Sequence, residues 1–228
     1  MNIKKHIPNT ITCCNLISGC IATVCALYVQ TELALLWIII GAVFDFFDGM
    51  SARWLSVSSP IGKELDSLAD VVTFGVAPSA MVFAFLSAHV PPSVPAFLAL
   101  LAFVMAAFSA LRLAKFNLDE RQTTSFIGLP TPANALFWGS LFVGYGDWLS
   151  QTPYAFWIVL VLVLVFSCLL VAELPLFALK FKHWGLKGNE VKYLFLLTSL
   201  LLLLMGVRGL PIVIVWYVVL SVVARKQC

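Results

Sequence analysis

Asp45-Phe46-Phe47-Asp48-Gly49-Met50-Ser51-Ala52-Arg53 and, a few residues on, Gly62-Lys63-Glu64-Leu65-Asp66-Ser67-Leu68-Ala69-Asp70 decide how this chain is read. The first stretch closes the apolar run Leu33–Phe44, and the second opens the apolar run Val71–Leu86. Run and aspartates together fill the stretches 34–56 and 61–88, each long enough for a spanning helix. An ionised carboxylate in hydrocarbon costs about 3 kcal/mol or more unless a partner answers it. Four aspartates with few cations nearby therefore ask for metal ions.

Composition widens the same statement. The chain has 228 residues, 61% of them hydrophobic and only 11% charged, and its mean hydropathy is +1.00. A soluble domain carries about 25% charged residues, so a polytopic membrane protein is expected, all-α and built as a single membrane domain over 1–228. A formal charge of +3 is too small to suggest a nucleic-acid partner. Cys13, Cys14, Cys20, Cys25 and Cys168 lie in apolar stretches without a C-x-x-C pair, the pattern of small packing residues.

Spanning helices need roughly 20 apolar residues. Eight are predicted, at about 8–29, 34–56, 61–88, 95–116, 131–149, 153–173, 190–206 and 209–225. Pro8, Pro60, Pro95 and Pro132 fall near helix starts, where proline is tolerated. The segments 117–130 and 174–189 read as polar connections, the first either a lid or a solvated loop. With eight spans both termini share one side, and that side receives every Lys and Arg except Arg208. The positive-inside rule makes it cytoplasmic, together with the loop between the aspartate pairs. The stretch after Lys4 and Lys5 runs on too far for a signal peptide and resembles a spanning helix.

At about 100° per residue, Asp45, Asp48, Gly49 and Ala52 fall on one helical stripe, and Gly62, Asp66 and Asp70 on another. A short connection near Pro60 makes the two helices antiparallel neighbours, so both stripes can face one cavity in the inner leaflet. Oxygen-only ligands favour Mg²⁺ or Mn²⁺, and four carboxylates suit a pair of divalent ions clamping phosphate oxygens. Arg53 is either a phosphate partner or a topological anchor. Gly49 and Gly62 either make room for a ligand or serve helix packing.

Read together, D-x-x-D-G-x-x-A-R-x8-G-x-x-x-D-x-x-x-D over 45–70 resembles the signature of the CDP-alcohol phosphatidyltransferases at every fixed position. The resemblance implies a helical membrane fold, usually homodimeric, and transfer of a phosphatidyl-type group from a CDP-linked lipid to an alcohol with release of CMP. It implies that Asp45, Asp48, Asp66 and Asp70 hold two divalent ions, and that Asp70 also takes the acceptor's proton. Gly49, Ala52 and Gly62 would border the cytidine, and Arg53 would support the diphosphate. Pro8-Asn9-Thr10-Ile11-Thr12 is similar to the family's P-N-x-x-T opening. Thr12 and Asn15 would touch the diphosphate, unless they serve capping and interhelical bonding.

Three stretches resemble the serine-transferring branch: Glu64–Pro78, Arg112–Asn117 and Ser125–Pro132. The resemblance covers roughly 1–150, a catalytic core, and leaves 151–228 as C-terminal membrane helices without a diagnostic motif. A zwitterionic acceptor fits the residues that follow. Arg112, Lys115 and Asn117 end the fourth span and Ser125 opens the last of these stretches. Arg112 and Lys115, three apart, would share a helix face for the serine carboxylate, or else both are anchors. Two other readings stand beside this one. Glycerol 3-phosphate or inositol phosphate as acceptor would need more cations. An ion or proton transporter would leave the Gly–Ala–Arg spacing unexplained. The expected setting is the cytoplasmic membrane of a prokaryote.

Overall fold

The computed structural model describes residues 6–57, 59–118, 126–177, 185 and 189–223. In chain order the elements are α1 (His6–Leu27), α2 (Thr31–Trp54), α3 (Pro60–Asp70), a π-helical segment (Val71–Val76) and α4 (Ala77–Ala88). A 3₁₀ segment (Ala96–Phe103) leads into α5 (Val104–Leu118), then come α6 (Thr131–Ser150), α7 (Ala155–Val171), α8 (Glu190–Leu203) and α9 (Gly209–Val223). Each of the eight predicted spans is present as a helical rod. Five rods are long and apolar enough to cross a membrane by themselves: α1, α2, Pro60–Ala88, Ala96–Leu118 and Gly206–Val223. α7 has 17 residues and α8 only 14, and α6 places Asn134, Ser140 and Asp147 among its apolar residues.

Local chemistry sets the breaks. α1 stops at Leu27 because Val29 turns left-handed, at φ 60°. α3 starts where Ser59 Oγ accepts from the Gly62 backbone N–H at 3.0 Å, with Pro60 in the first turn. The connections expected at 117–130 and 174–189 meet each other. Phe126–Ile127 (β1) pairs antiparallel with Pro175–Leu176 (β2), and Gly128, at φ 76°, turns the chain away. Gly128 N–H and Leu129 N–H then donate to Leu174 O and Leu169 O at 3.0 and 2.9 Å, tying this turn to the end of α7.

α1 is the hub. It packs along α2 and against α3, the π segment and α4. Its inward positions are small (Ser18, Gly19, Ala22, Ala26), which lets backbones approach closely. The largest buried side chains lie further along the bundle. Trp138 on α6, Phe74 in the π segment and Phe156 on α7 are fully enclosed. Phe137 stacks on Phe166 at 4.0 Å and Phe85 on Phe142 at 5.0 Å, joining α6 to α7 and α4. α9 packs on α6 and α8, and Phe177, Phe195 and Leu220 make a separate small core there.

The third rod departs from the sequence expectation. A continuous α-helix is predicted over 61–88, but the rod widens into a π turn directly after Asp70. Such turns insert a residue into the helical register and are frequent at functional sites.

Candidate active site

The aspartates come together where α2 and α3 converge on the first half of α1. Asp45, Asp48 and Asp66 each bring a carboxylate oxygen within 4.8 Å of the others. Asp70 lies one turn deeper and interacts with Asp45. The two stripes read from the sequence therefore do face one another. Fourteen residues separate Asp45 from the start of α2, roughly 21 Å at 1.5 Å per residue. The cluster thus sits in the half of α2 nearer its C-terminal end at Trp54.

Two side chains of α1 hold this cluster. Thr12 Oγ1 donates to Asp48 Oδ2 at 2.7 Å and also approaches Pro8 O at 3.1 Å. Asn15 Nδ2 donates to Asp70 Oδ1 at 3.1 Å. Of the two expectations for Thr12 and Asn15, diphosphate contact or interhelical bonding, the structure shows the second, directed to aspartates, and only Thr12 also faces the cavity.

Beside the cluster opens a cavity of about 200 Å³. Asp48, Gly49 and Ala52 form one wall and Gly62, Lys63 and Asp66 the other. A Cβ at Gly49 would meet nothing within 4 Å, so packing does not require glycine there, and its absence leaves the wall open. A Cβ at Gly62 would press on Asn9 Oδ1 and Ser59 Oγ, each at 3.0 Å, so that glycine is needed for close approach. Asn9, Val57, Ser59 and Lys63 also line the cavity and had not been singled out as site residues. The Pro8-Asn9 opening and the Ser59-Pro60 helix start were the only signals pointing to them.

Arg53 lies apart from the cavity. It is exposed and stays out of the cavity lining. It follows Ala52 by one residue, about 100° round the last turn of α2, which carries it off the lined face.

The expected acceptor residues separate in a similar way. Arg112 is 8% exposed, with Asp70 as its charged neighbour. Its Nη1 reaches Thr131 Oγ1 at 3.4 Å, its guanidinium lies over the Phe116 ring at 5.6 Å, and its Nε has no partner. Lys115 is exposed and does not share that environment. α5 buries only a narrow face here, and three residues of rotation carry Lys115 past its edge. Asn117 is tied to α3. Its Nδ2 donates to Ser67 Oγ at 2.8 Å, and its carbonyl accepts from Lys63 Nζ at 3.0 Å. Ser125 lies outside the described residues.

The donor set suits hard divalent cations. Asp45, Asp48, Asp66 and Asp70 offer oxygens only, and among the described residues the buried Asp66 Oδ1 has no hydrogen-bond partner. A buried acceptor left bare is normally satisfied by something, an ion included.

Comparison with known proteins fits this geometry. The sequence model described as CDP-alcohol phosphatidyltransferase matches residues 5–179. The chain is 42% identical over 129 residues to a CDP-diacylglycerol–serine O-phosphatidyltransferase of Bacillus subtilis, covering 56% of this chain and 70% of that one. Proteins of the same name from Mycobacterium leprae and Methanocaldococcus jannaschii are 32% and 36% identical over 182 and 140 residues. Those matches cover 75% and 61% of this chain, but only 57% and 59% of the relatives.

Proposed function

The chain belongs to the CDP-alcohol phosphatidyltransferase family, and on that premise we propose that it transfers a phosphatidyl group from CDP-diacylglycerol to L-serine. The products are phosphatidylserine and CMP. The observation that carries the reading is the convergence of Asp45, Asp48 and Asp66 at the edge of a cavity walled by Gly49, Ala52 and Gly62. The names of the relatives support serine as the acceptor.

Each group has a task in this scheme. Cytidine lies against the open wall at Gly49 and Ala52, while the acyl chains stay in lipid. Lys63 and Thr12, both in the cavity lining, face the diphosphate. Mg²⁺ or Mn²⁺ held by the four aspartates would neutralise the diphosphate and stabilise charge at the phosphorus under attack. Thr12 holds Asp48, and Asn15 occupies Oδ1 of Asp70, so that Oδ2 is the oxygen Asp70 offers to the acceptor. Arg112 takes the serine carboxylate, having unspent donors next to Asp70. Asp70 accepts the serine hydroxyl proton as the serine oxygen bonds to the lipid-side phosphorus. The bond from that phosphorus to the CMP oxygen breaks, and CMP departs. The reading extends to a homodimer with its active site and both termini in the cytoplasm, supported by the family likeness and by the distribution of Lys and Arg. A particle mass of one 25.0 kDa chain in lipid nanodiscs would remove the dimer, and labelling of a cysteine placed next to Trp54 only from outside intact cells would remove the orientation.

The test is an acceptor screen. Purified protein in detergent receives CDP-diacylglycerol, a divalent salt and one alcohol at a time. CMP release with L-serine is expected, lost with chelator and restored by Mg²⁺ or Mn²⁺. Release with glycerol 3-phosphate or inositol phosphate but not serine would sink the acceptor assignment. CMP release that persists in detergent without any gradient would exclude ion or proton transport as the sole role, and no release with any alcohol would refute the transfer reading.

A further inference from the structure

Most buried hydroxyls in the bundle donate back to their own helix, four residues earlier. Ser18, Ser79 and Ser109 do so at 2.7–2.8 Å. Thr73 does not. It lies in the π segment three residues after Asp70, is 0% exposed, and sends its O–H across to α1, where it donates to Asn15 O at 3.0 Å. Asn15 is the residue whose Nδ2 holds Asp70 Oδ1.

The neighbouring rods make way for Thr73. A Cβ at Gly19 on α1 would collide with Thr73 Oγ1 and sit 2.7 Å from its Cα. A Cβ at Gly41 on α2 would sit 2.5 Å from Thr73 Cγ2 and 3.0 Å from Asn15 Oδ1. Thr73 is thus wedged between two glycines, one from each flanking helix, at the point where the third rod widens. Among the described residues the Asn15 side chain has one hydrogen bond, to Asp70, and its buried Oδ1 has none. Among the same residues the Thr73 hydroxyl holds the Asn15 backbone from outside its own helix.

We propose that Thr73 is a positioning residue of the transfer reaction: its cross-helix hydrogen bond sets Asn15, and through Asn15 it fixes which oxygen of Asp70 is left to work. The inference rests on the phosphatidyl-transfer reading and adds a residue outside the family signature to it. Thr73 touches neither substrate, so its loss acts on turnover rather than on donor affinity.

The test compares Thr73→Val, which keeps the shape and removes the hydroxyl, with Thr73→Ser, which keeps the hydroxyl and removes the methyl. A hydrogen bond of this kind corresponds to about a tenfold change in rate. Thr73→Val is expected to lower kcat about tenfold with KM for CDP-diacylglycerol within about twofold of wild type. Thr73→Ser should stay within about twofold in both. In an Asn15→Ala background, Thr73→Val should cost no further activity. Unchanged kcat in Thr73→Val, equal loss in Thr73→Ser, or independent losses in the double variant would overturn the proposal. If Thr73→Val fails to fold in detergent, Thr73→Ala takes its place against Thr73→Ser, with the same outcomes. The wild-type arm judges the transfer reading alone. If it releases no CMP with serine, Mn²⁺ affinity by electron paramagnetic resonance becomes the readout. Thr73→Val should then bind several-fold more weakly than Thr73→Ser, and equal affinities would refute the positioning role.

Discussion

Two glycines facing the same bundle should respond oppositely to one added methyl. At Gly19 the new Cβ would lie 2.7 Å from Thr73 Cα and 2.8 Å from Thr73 N. Those are backbone atoms of a packed rod, which cannot swing aside as a side-chain tip can. Carbon contacts settle near 3.5–4.0 Å, so α1 and the third rod would have to part by roughly 1 Å. Overpacking of this kind costs about 1–3 kcal/mol, and the backbone contacts place Gly19→Ala towards the upper figure. For a chain of this length each kcal/mol moves Tm by about 2–4 °C, so a fall of roughly 5–10 °C is expected. At Gly49 the added Cβ meets nothing within 4 Å. Replacing an interior helical glycine by alanine then gains up to about 1 kcal/mol, so Gly49→Ala should melt at or slightly above the wild-type temperature. Its cost appears elsewhere: the methyl enters the 200 Å³ cavity, and KM for CDP-diacylglycerol should rise several-fold. Tryptophan fluorescence during heating in detergent gives the melting temperatures, and CMP release gives the kinetics. Gly19→Ala melting with wild type would show that the rods are not as close as described. An unchanged KM in Gly49→Ala would show that the donor does not use that wall.

Two further substitutions separate the groups around the aspartates. Thr12→Val keeps its volume and loses the 2.7 Å donation to Asp48; a hydrogen bond to a charged group is worth about 1.5–3 kcal/mol. The Mn²⁺ concentration for half-maximal activity should therefore rise by roughly tenfold or more, and an unshifted titration would mean that Thr12 does not support the divalent site. Arg112→Lys keeps the charge but loses the planar stack over Phe116 and the reach to Thr131. KM for serine should rise about tenfold with KM for CDP-diacylglycerol unchanged, and an equal rise in both would argue against an acceptor role.

Much of this was legible because hydrocarbon is a demanding solvent. Apolar runs broken by proline and polar stretches locate the rods within a few residues, and helical spacing places Asp48, Gly49, Ala52, Gly62 and Asp66 around one cavity. The π turn was not legible. Val71–Leu86 has no charged residue and only Thr73 and Ser79 as polar ones, too few to make a stripe that records a change of register. The task of Thr12 and Asn15 was legible as interhelical bonding but not as bonding to particular carboxylates. Sequence spacing puts them on one face of α1, but only the packing of α2 and α3 against that face decides that each meets a carboxylate. Arg112 and Lys115 show the limit of arguments from shared faces. Three residues of separation leave an angle of about 60°, and at the margin of a buried strip that is enough to put one cation inside and the other in solvent.

The charges that remain explain why such a cluster persists inside a membrane protein. Among the described residues Arg112 is the one buried cation beside the four aspartates, while Arg53, Lys63 and Lys115 are exposed and Lys63 Nζ donates to Asn117 O. With every group ionised the four carboxylates and Arg112 leave an excess of three negative charges, which low-dielectric surroundings oppose strongly. On the proposed reading the doubly negative diphosphate of a CDP-linked lipid would deepen that excess if it came alone. A pair of divalent ions would offset most of both charges. Donor binding then depends on the ions, and by linkage the coupling is reciprocal. On the proposed reading the carboxylates therefore make donor binding depend on the metal, and Thr12 and Asn15, bonded to Asp48 and Asp70, hold two of them in shape.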